Sequence, residues 1–311
     1  MSKKLISIVV PCYNEESTLE ILYKELNKIV TDMSEYNFEY VFVNDGSKDR
    51  TLAILKEMAS KDERVKYVSF SRNFGKEAGL LAGLKHAKGD MVATMDADMQ
   101  DPPSLLPEMV AYVASGEYDN AATRRVSRKG EPIIRSFFAR MFYRVMRRIT
   151  DIEIMDGARD YRVMSRVMVD SILSLPEYNR FSKGIFAWVG FNTKWVEFEN
   201  VERSAGETKW SFWKLLRYSI EGIISFSDAP INIASWLGLI MTAVSFLAMI
   251  FLFLRALMFG DPVAGWPSLA CIMTFIGGVQ LFVMGMIGQY ISKTYMEVKN
   301  RPHYIIKETN A

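Results

Sequence analysis

The chain has 311 residues, 50% hydrophobic and 24% charged, with a net charge of +2. That length suits one large domain or two smaller ones, and near-neutral charge argues against a general nucleic-acid binder. Two cysteines, Cys12 and Cys271, and two histidines, His86 and His303, supply neither a disulfide framework nor a histidine-based zinc centre or Ser-His-Asp triad.

The N-terminus, MSKKLISIVVPCYNEE, begins like a secretory leader, but its apolar run is too short and ends in charge. It reads instead as a first strand over 5–10. Leu19, Leu22, Leu26 and Ile29 follow at helical spacing. FEYVFV at 38–43 is the expected second strand, and NDGSKDRT is a turn into a helix through Ala53 to Met58. VKYVSF ends a third strand near Phe70, a helix is expected over about 76–87, and MVATM at 91–95 is the fourth strand. Strands alternating with helices imply an α/β fold with a mostly parallel sheet covered on both faces. In such sheets ligands bind beyond the carboxyl ends of the strands. That rule gathers PCYNEE, NDGSKD, SRNFGKE and DADMQD at one edge. In the last of these, Asp96, Asp98 and Gln100 offer oxygen ligands of the kind a hard divalent cation takes. There is no G-x-G-x-x-G, and FGKEAG lacks the Ser or Thr that follows Lys in a Walker loop. The phosphates of a bound nucleotide would therefore rest on a metal and basic side chains.

Between Thr123 and Thr150 stand nine arginines and lysines, opposed only by Glu131. Ile134, Phe137, Phe138, Met141, Val145 and Ile149 recur at helical spacing, with Arg140, Arg144 and Arg147 on another side. The expectation is a basic amphipathic helix over about 133–150, lying on an anionic membrane surface. A second interfacial stretch is expected over about 211–225, where Trp210, Phe212, Trp213 and Tyr218 accompany Lys209, Lys214 and Arg217. From Ala229 to Leu254, and again from Pro262 to Ser292, no residue is charged. Each run exceeds the roughly 20 residues that cross a bilayer, which predicts two spans. Lys293, Lys299, Arg301 and Lys307 follow the second run, whereas the connecting loop has only Arg255 beside Asp261. The positive-inside rule then makes the tail cytoplasmic, and two spans return the N-terminal region to the same side. The expected organisation is a domain over 1–225, a transmembrane pair over 229–292 and a tail over 293–311.

In order, ISIVVPCYNEE, VFVNDGSKDRT, SRNFGKEAGLLAGL, MDADMQDPP, ARDYRVM and ERSAGETKW resemble the polyprenyl-phosphate glycosyltransferases of glycosyltransferase family two. This group includes bactoprenol glucosyltransferases and dolichol-phosphate mannose synthases, and the resemblance covers nearly the whole chain. It implies a GT-A fold and inverting transfer of a sugar from a nucleotide sugar, UDP-glucose or UDP-N-acetylglucosamine, to polyprenyl (undecaprenyl) phosphate. The reaction would run at the cytoplasmic face of the cell membrane with Mg²⁺ or Mn²⁺. The absence of the Gln-x-x-Arg-Trp block of processive synthases favours transfer of a single sugar.

Residue by residue, the resemblance implies that Pro11, Tyr13 and Glu15 hold the nucleotide, with Asp45 on its base. Asp96, Ala97, Asp98 and Gln100 would serve the ribose, diphosphate and metal, and Arg203 and Lys209 would close over the diphosphate. Arg124 and Arg135 match positions associated with the acceptor phosphate, and Ala139 stands where relatives can carry a serine. Asp160 matches the catalytic or acceptor-side aspartate. A phosphate monoester has its second pKa at about 6, so the acceptor needs little deprotonation, and Asp160 is expected to orient it rather than act as its base. The partners implied are a nucleotide sugar, a lipid phosphate and a membrane, with no nucleic acid and with self-association left open. The competing reading is a membrane-tethered nucleotide-sugar-binding scaffold without turnover. Intact Asp96, Asp98, Asp160 and Arg203 weigh against it.

Overall fold

Apolar runs bounded by polar turns build the sheet, as the sequence pattern predicts. The computed structural model describes residues 3–126, 155, 157–199, 229–259 and 265–311. The chain divides into two compact units, Met1–Ser219 with Arg301–Ala311, and Ile220–Asn300. The interfacial helices expected over 133–150 and 211–225 lie outside the described residues.

In the first unit, β1 (Leu5–Cys12), β2 (Asn37–Asn44), β3 (Val65–Phe70) and β4 (Met91–Thr94) run parallel in the order 4-1-2-3. Ile6, Ile8, Val9 and Val10 of β1 are all buried, so both faces of this strand are covered. On one side α1 (Leu19–Asp32) buries Leu19, Leu22, Leu26 and Val30, its apolar stripe, and α2 (Thr51–Lys61) follows the β2 turn. On α3 (Lys76–His86) every residue from Ala78 to Leu84 is buried. A Cβ at Gly83 would come within 2.1 Å of the Val9 side chain, so only glycine lets this helix sit so close to β1.

The sheet continues beyond the four strands read from the sequence. After α4 (Leu106–Ala114) come β5 (Asn120–Arg125), β6 (Ala158–Ser165), α5 (Arg166–Leu173), α6 (Ser182–Trp188) and β7 (Thr193–Phe198). The full order, with β8 (Ile306–Thr309), is β7-β5-β6-β4-β1-β2-β3-β8. β6 runs antiparallel to β4, with Thr94 opposite Arg162. Its first residues therefore lie at the edge where β1–β4 end. β5 is antiparallel to β6 and parallel to β7, so their last residues reach the same edge.

The tail adds the eighth strand, which the sequence reading did not foresee. β8 pairs antiparallel with β3, and the Ser71 amide donates to the Ile305 carbonyl at 2.9 Å. The Tyr304 ring stacks on Phe70 at 4.8 Å, and Asn310 accepts from the Tyr67 amide at 2.6 Å. His303 Nε2 donates to the Glu177 carbonyl at 2.9 Å. The last residues thus close one edge of the sheet.

The second unit contains α7 (Ala229–Phe259) and α8 (Trp266–Val298), which cover most of the two charge-free runs. Among the described residues one stretch, Phe275–Val298, is long and apolar enough to cross a membrane, with a mean hydropathy of 1.4. A shorter apolar stretch, Ile231–Met241, lies in α7. Large side chains such as Trp236, Phe251, Leu281 and Phe282 are exposed.

Docking of the tail carries a direct test. Tyr304→Ala should lower unfolding stability of the full chain by about 1–3 kcal/mol, and Tyr304→Phe should not. Equal stability of the alanine variant and the parent in denaturant titration would mean that the tail does not hold the sheet edge.

Candidate active site

Three polar turns leave the sheet at the shared edge, and one cation ties them together. Lys76, the first residue of α3, places Nζ 2.6 Å from Asp96 just after β4 and 2.5 Å from Asp160 on β6. Desolvation pushes the ammonium pKa down, but Asp160 and Asp96 outweigh it and hold it well above the ordinary lysine range. Burial pushes Asp160 up, but Lys76, Lys183 and Arg162 outweigh that and keep it well below the usual carboxylate range. Asp160 is therefore a fixed negative charge at neutral pH.

Strand alternation sorts ARDYR into two functions. On one face the Arg159 Nε donates to Asp101 at 2.8 Å and the Tyr161 hydroxyl to the Pro103 carbonyl at 3.3 Å. Burial raises Asp101 while Arg159 opposes it, an ion pair that anchors the turn after the acids. On the other face stand Asp160 and Arg162. The Arg162 guanidinium lies 3.6 Å from the Phe186 ring centroid, and the Thr94 hydroxyl donates to the Asp160 carbonyl at 2.7 Å.

Lys76 is itself positioned from β2. Asp45 is buried, and its two oxygens accept from the Phe74 amide at 2.6 Å and the Gly75 amide at 2.9 Å. Burial raises its pKa against these two bonds. Gly46 has φ 64°, and a Cβ there would fall 2.3 Å from the Arg72 carbonyl carbon, so the close approach of the two loops requires glycine. The turn after β1 is laced to the same region. The Glu15 amide donates to the Thr51 hydroxyl at 2.9 Å, and the Asn14 side chain accepts from the Lys48 amide at 2.9 Å. Pro11, Tyr13 and Glu15 thus line the β1 end, next to Asp45 at the β2 end.

The DADMQ turn holds its acids differently. Asp98 accepts from the Gln100 amide at 3.2 Å, and Met99 between them has φ 56°, a left-handed conformation uncommon for a side-chain-bearing residue. The Gln100 side-chain Oε1 accepts from Arg159 at 3.4 Å, and Ala97 is buried beneath the turn. No three His, Cys, Asp or Glu side chains gather into a metal cluster among the described residues. This donor set fits Mg²⁺ or Mn²⁺, which are commonly held by one or two carboxylates with the remaining oxygens from a phosphate-bearing substrate.

Arg124 lies at the end of β5, opposite Ala158, and its Nη1 is 3.3 Å from Glu197. It reaches the same edge as Asp160. Arg135, Arg203 and Lys209, together with Ala139, lie outside the described residues. Sequence reasoning overlooked Lys76, Arg159 and Arg162. Lys76 stood in FGKEAG, weighed only against a Walker loop, although a lysine opening a helix next to a strand end is placed to meet acids there.

Residues 7–173 match the family model described as Glycosyl transferase family 2. The chain belongs to glycosyltransferase family 2. This glycosyltransferase is 42% identical to the SfII prophage-derived bactoprenol glucosyl transferase of Shigella flexneri over 98% of both chains. It is 41% identical to the prophage bactoprenol glucosyl transferase homolog of Escherichia coli K12, over 97% of this chain and 98% of that one. Among solved structures, the Pyrobaculum calidifontis mannosyltransferase in complex with GDP-Man and Mn²⁺ superposes at a TM-score of 0.50 with 15% identity, over 97% and 89% of the two chains. The Mycobacterium tuberculosis glucosyl-3-phosphoglycerate synthase in complex with Mn²⁺, UDP-glucose and phosphoglyceric acid also gives 0.50, at 20% identity, over 71% and 78%. These structures establish a GT-A-like α/β fold for the glycosyltransferase.

The Lys76 bridge predicts a pH signature. In Lys76→Met, Asp160 loses the cation that chiefly holds its pKa down, and burial then raises it. In the parent, a depressed Asp160 pKa gives stability that is present above the unfolded carboxylate pKa and lost as pH falls through the folded value. The loss of thermal stability in Lys76→Met should therefore be full at about pH 7 and still large near about pH 5, and shrink only as pH falls from about 4 towards about 2. A loss independent of pH over that window would contradict the assigned charges.

Proposed function

We propose that the enzyme transfers a single glucose from UDP-glucose to polyprenyl (undecaprenyl) phosphate at the cytoplasmic face of the cell membrane, with inversion. The observation that carries the chemistry is the constellation of Asp96, Asp98, Asp160 and Lys76 at one sheet edge. Similarity to bactoprenol glucosyl transferases over nearly the whole chain supports the acceptor class and the sugar. UDP-N-acetylglucosamine is the runner-up donor.

Connectivity supports the membrane topology. The chain leaves the first unit after Ser219 and rejoins it at Arg301, where the tail hydrogen-bonds to β3. A segment that begins and ends in one compartment crosses a bilayer an even number of times. With the α8 stretch as one span, α7 becomes the other, its exposed apolar side chains facing lipid. The excess of Lys and Arg after α8 then sets both ends in the cytoplasm.

In the reaction, an acceptor phosphate oxygen attacks the anomeric carbon as the bond to the nucleotide diphosphate breaks. Pro11, Tyr13, Glu15 and Asp45 hold the nucleotide, and Asp96 serves the ribose. A Mg²⁺ or Mn²⁺ held by Asp98 and Gln100, with Asp96 beside it, would neutralise charge on the departing diphosphate. Arg203 and Lys209 assist there, and Arg124 and Arg135 hold the acceptor phosphate. Fixed cations offset the repulsion between two anionic reactants. Asp160 is too acidic to be an efficient base at neutral pH, since effective bases have pKa values near the operating pH. With the acceptor already a dianion, Asp160 orients it and balances the surrounding cations.

Membranes containing the enzyme, incubated with undecaprenyl phosphate and a panel of nucleotide sugars, should form lipid-linked glucose from UDP-glucose. EDTA should stop transfer in the parent, and Asp98→Asn should lose most activity while keeping the fold. No transfer to the lipid from any donor would refute the acceptor class, and full activity in EDTA would remove the metal.

A further inference from the structure

α6 brings two groups to the surroundings of Asp160, and a residue of α3 outside the reaction scheme holds that helix. Lys183 is one of the cations that keep Asp160 ionised. The Phe186 ring lies 3.6 Å from the guanidinium of Arg162, another of them. A helix of 7 residues has little stability of its own, so tertiary contacts set its position. Ile185 and Phe186 are buried, which fixes its depth, but apolar contact is non-directional and leaves its rotation open. Between the helix and the sheet lies a cavity of about 220 Å³, lined by Lys183 and Phe186 from α6 and by Asn120, Ala158 and Arg162 from β5 and β6. Packing on that side leaves the rotation open too.

The directional contact comes from α3. The Ser182 amide, at the start of α6, donates to Glu77 Oε2 at 3.1 Å, and the Ser182 hydroxyl donates to the same oxygen. Glu77 stands 105 residues earlier in the chain and directly follows Lys76. Arg180, whose charge reaches Glu77, donates its guanidinium N–H groups to the Leu175 and Ile172 carbonyls instead, at 2.9 and 3.3 Å. Burial pushes the Glu77 pKa up, the Ser182 hydroxyl opposes it, and the negative charge of Asp160 adds to the rise. On charge alone a further carboxylate near Asp160 is unfavourable. What Glu77 contributes is the pair of bonds to α6.

We propose that Glu77 is a positioning residue of the transfer reaction: by fixing the first turn of α6 it sets Lys183 and Phe186 around Asp160, and with them how well Asp160 orients the acceptor. The inference rests on the orienting role proposed for Asp160 above.

The test combines hydrogen-exchange mass spectrometry over residues 182–188 with steady-state kinetics at saturating UDP-glucose and varied undecaprenyl phosphate. It uses the detergent-solubilised full-length enzyme. Glu77→Ala should speed exchange at least about tenfold and raise acceptor KM by a similar factor, with kcat changed less than about threefold. Glu77→Gln keeps an oxygen for both Ser182 donors and should return both readouts to within about threefold of the parent. Ser182→Ala removes one of the two bonds and should show both effects at about threefold, which carries the test if Glu77→Ala does not fold. Unchanged exchange in these variants would overturn the docking. A Gln variant as impaired as Ala would assign the effect to the charge beside Lys76 and overturn positioning through Ser182. Faster exchange with acceptor KM unchanged would make Glu77 a purely structural residue and overturn its role in the reaction. If exchange responds as expected while the parent transfers no sugar to undecaprenyl phosphate, the proposed reaction fails and the docking of α6 by Glu77 stands.

Discussion

Two carboxylates drawn to one side of a sheet edge repel unless a cation stands between them, and in this enzyme that cation is Lys76. Its position depends on three separate pieces of chain. Asp45 fixes the loop before it through two backbone amides, Gly46 lets that loop approach, and Gly83 seats α3 directly on β1. Asp96 and Asp160 come from strands of opposite direction, so their meeting reflects the antiparallel pairing of β6 with β4. The rest of the site is arranged around this bridge. Asp98 stands outside it, held by a turn with a left-handed residue.

The first half of the fold was legible because its signals are local. β1 to β4 and α1 to α3 follow from apolar runs, helical spacing and turn residues, and the rule about carboxyl ends gathered the right loops. Strands β5 to β7 were not read. Their spacing is interrupted by a long basic segment, and Ala-rich or charge-bearing strands such as NAATRR carry no clear period of two. Asp160 was found only through a motif. Lys76 was missed because ion pairing is decided by topology, and no local pattern reports that a lysine in one loop will meet acids from two others. The tail strand was hidden for a similar reason, since its partner β3 lies more than two hundred residues away in the chain.

The tail returns to the sheet after the two long helices of the second unit. The chain leaves the sheet, passes through α7 and α8, and comes back to hydrogen-bond the edge strand whose following loop delivers Lys76. Tyr304 stacks on Phe70, and Phe70 packs edge-on against Phe74, whose amide is held by Asp45. A continuous set of contacts therefore runs from the end of the chain to the loop that positions the central cation.

The account turns on Asp160 being a permanently ionised positioning group rather than the base of the reaction. Steady-state kinetics of Asp160→Asn, with lipid phosphate varied from about pH 6 to about pH 9, test this most directly. The account predicts a loss that falls mainly on acceptor KM, with no new ionisation in the parent that the variant abolishes. A drop in kcat of about 10²–10⁴-fold at saturating acceptor, persisting above about pH 8 with acceptor KM unchanged, would instead make Asp160 an obligatory base and contradict it.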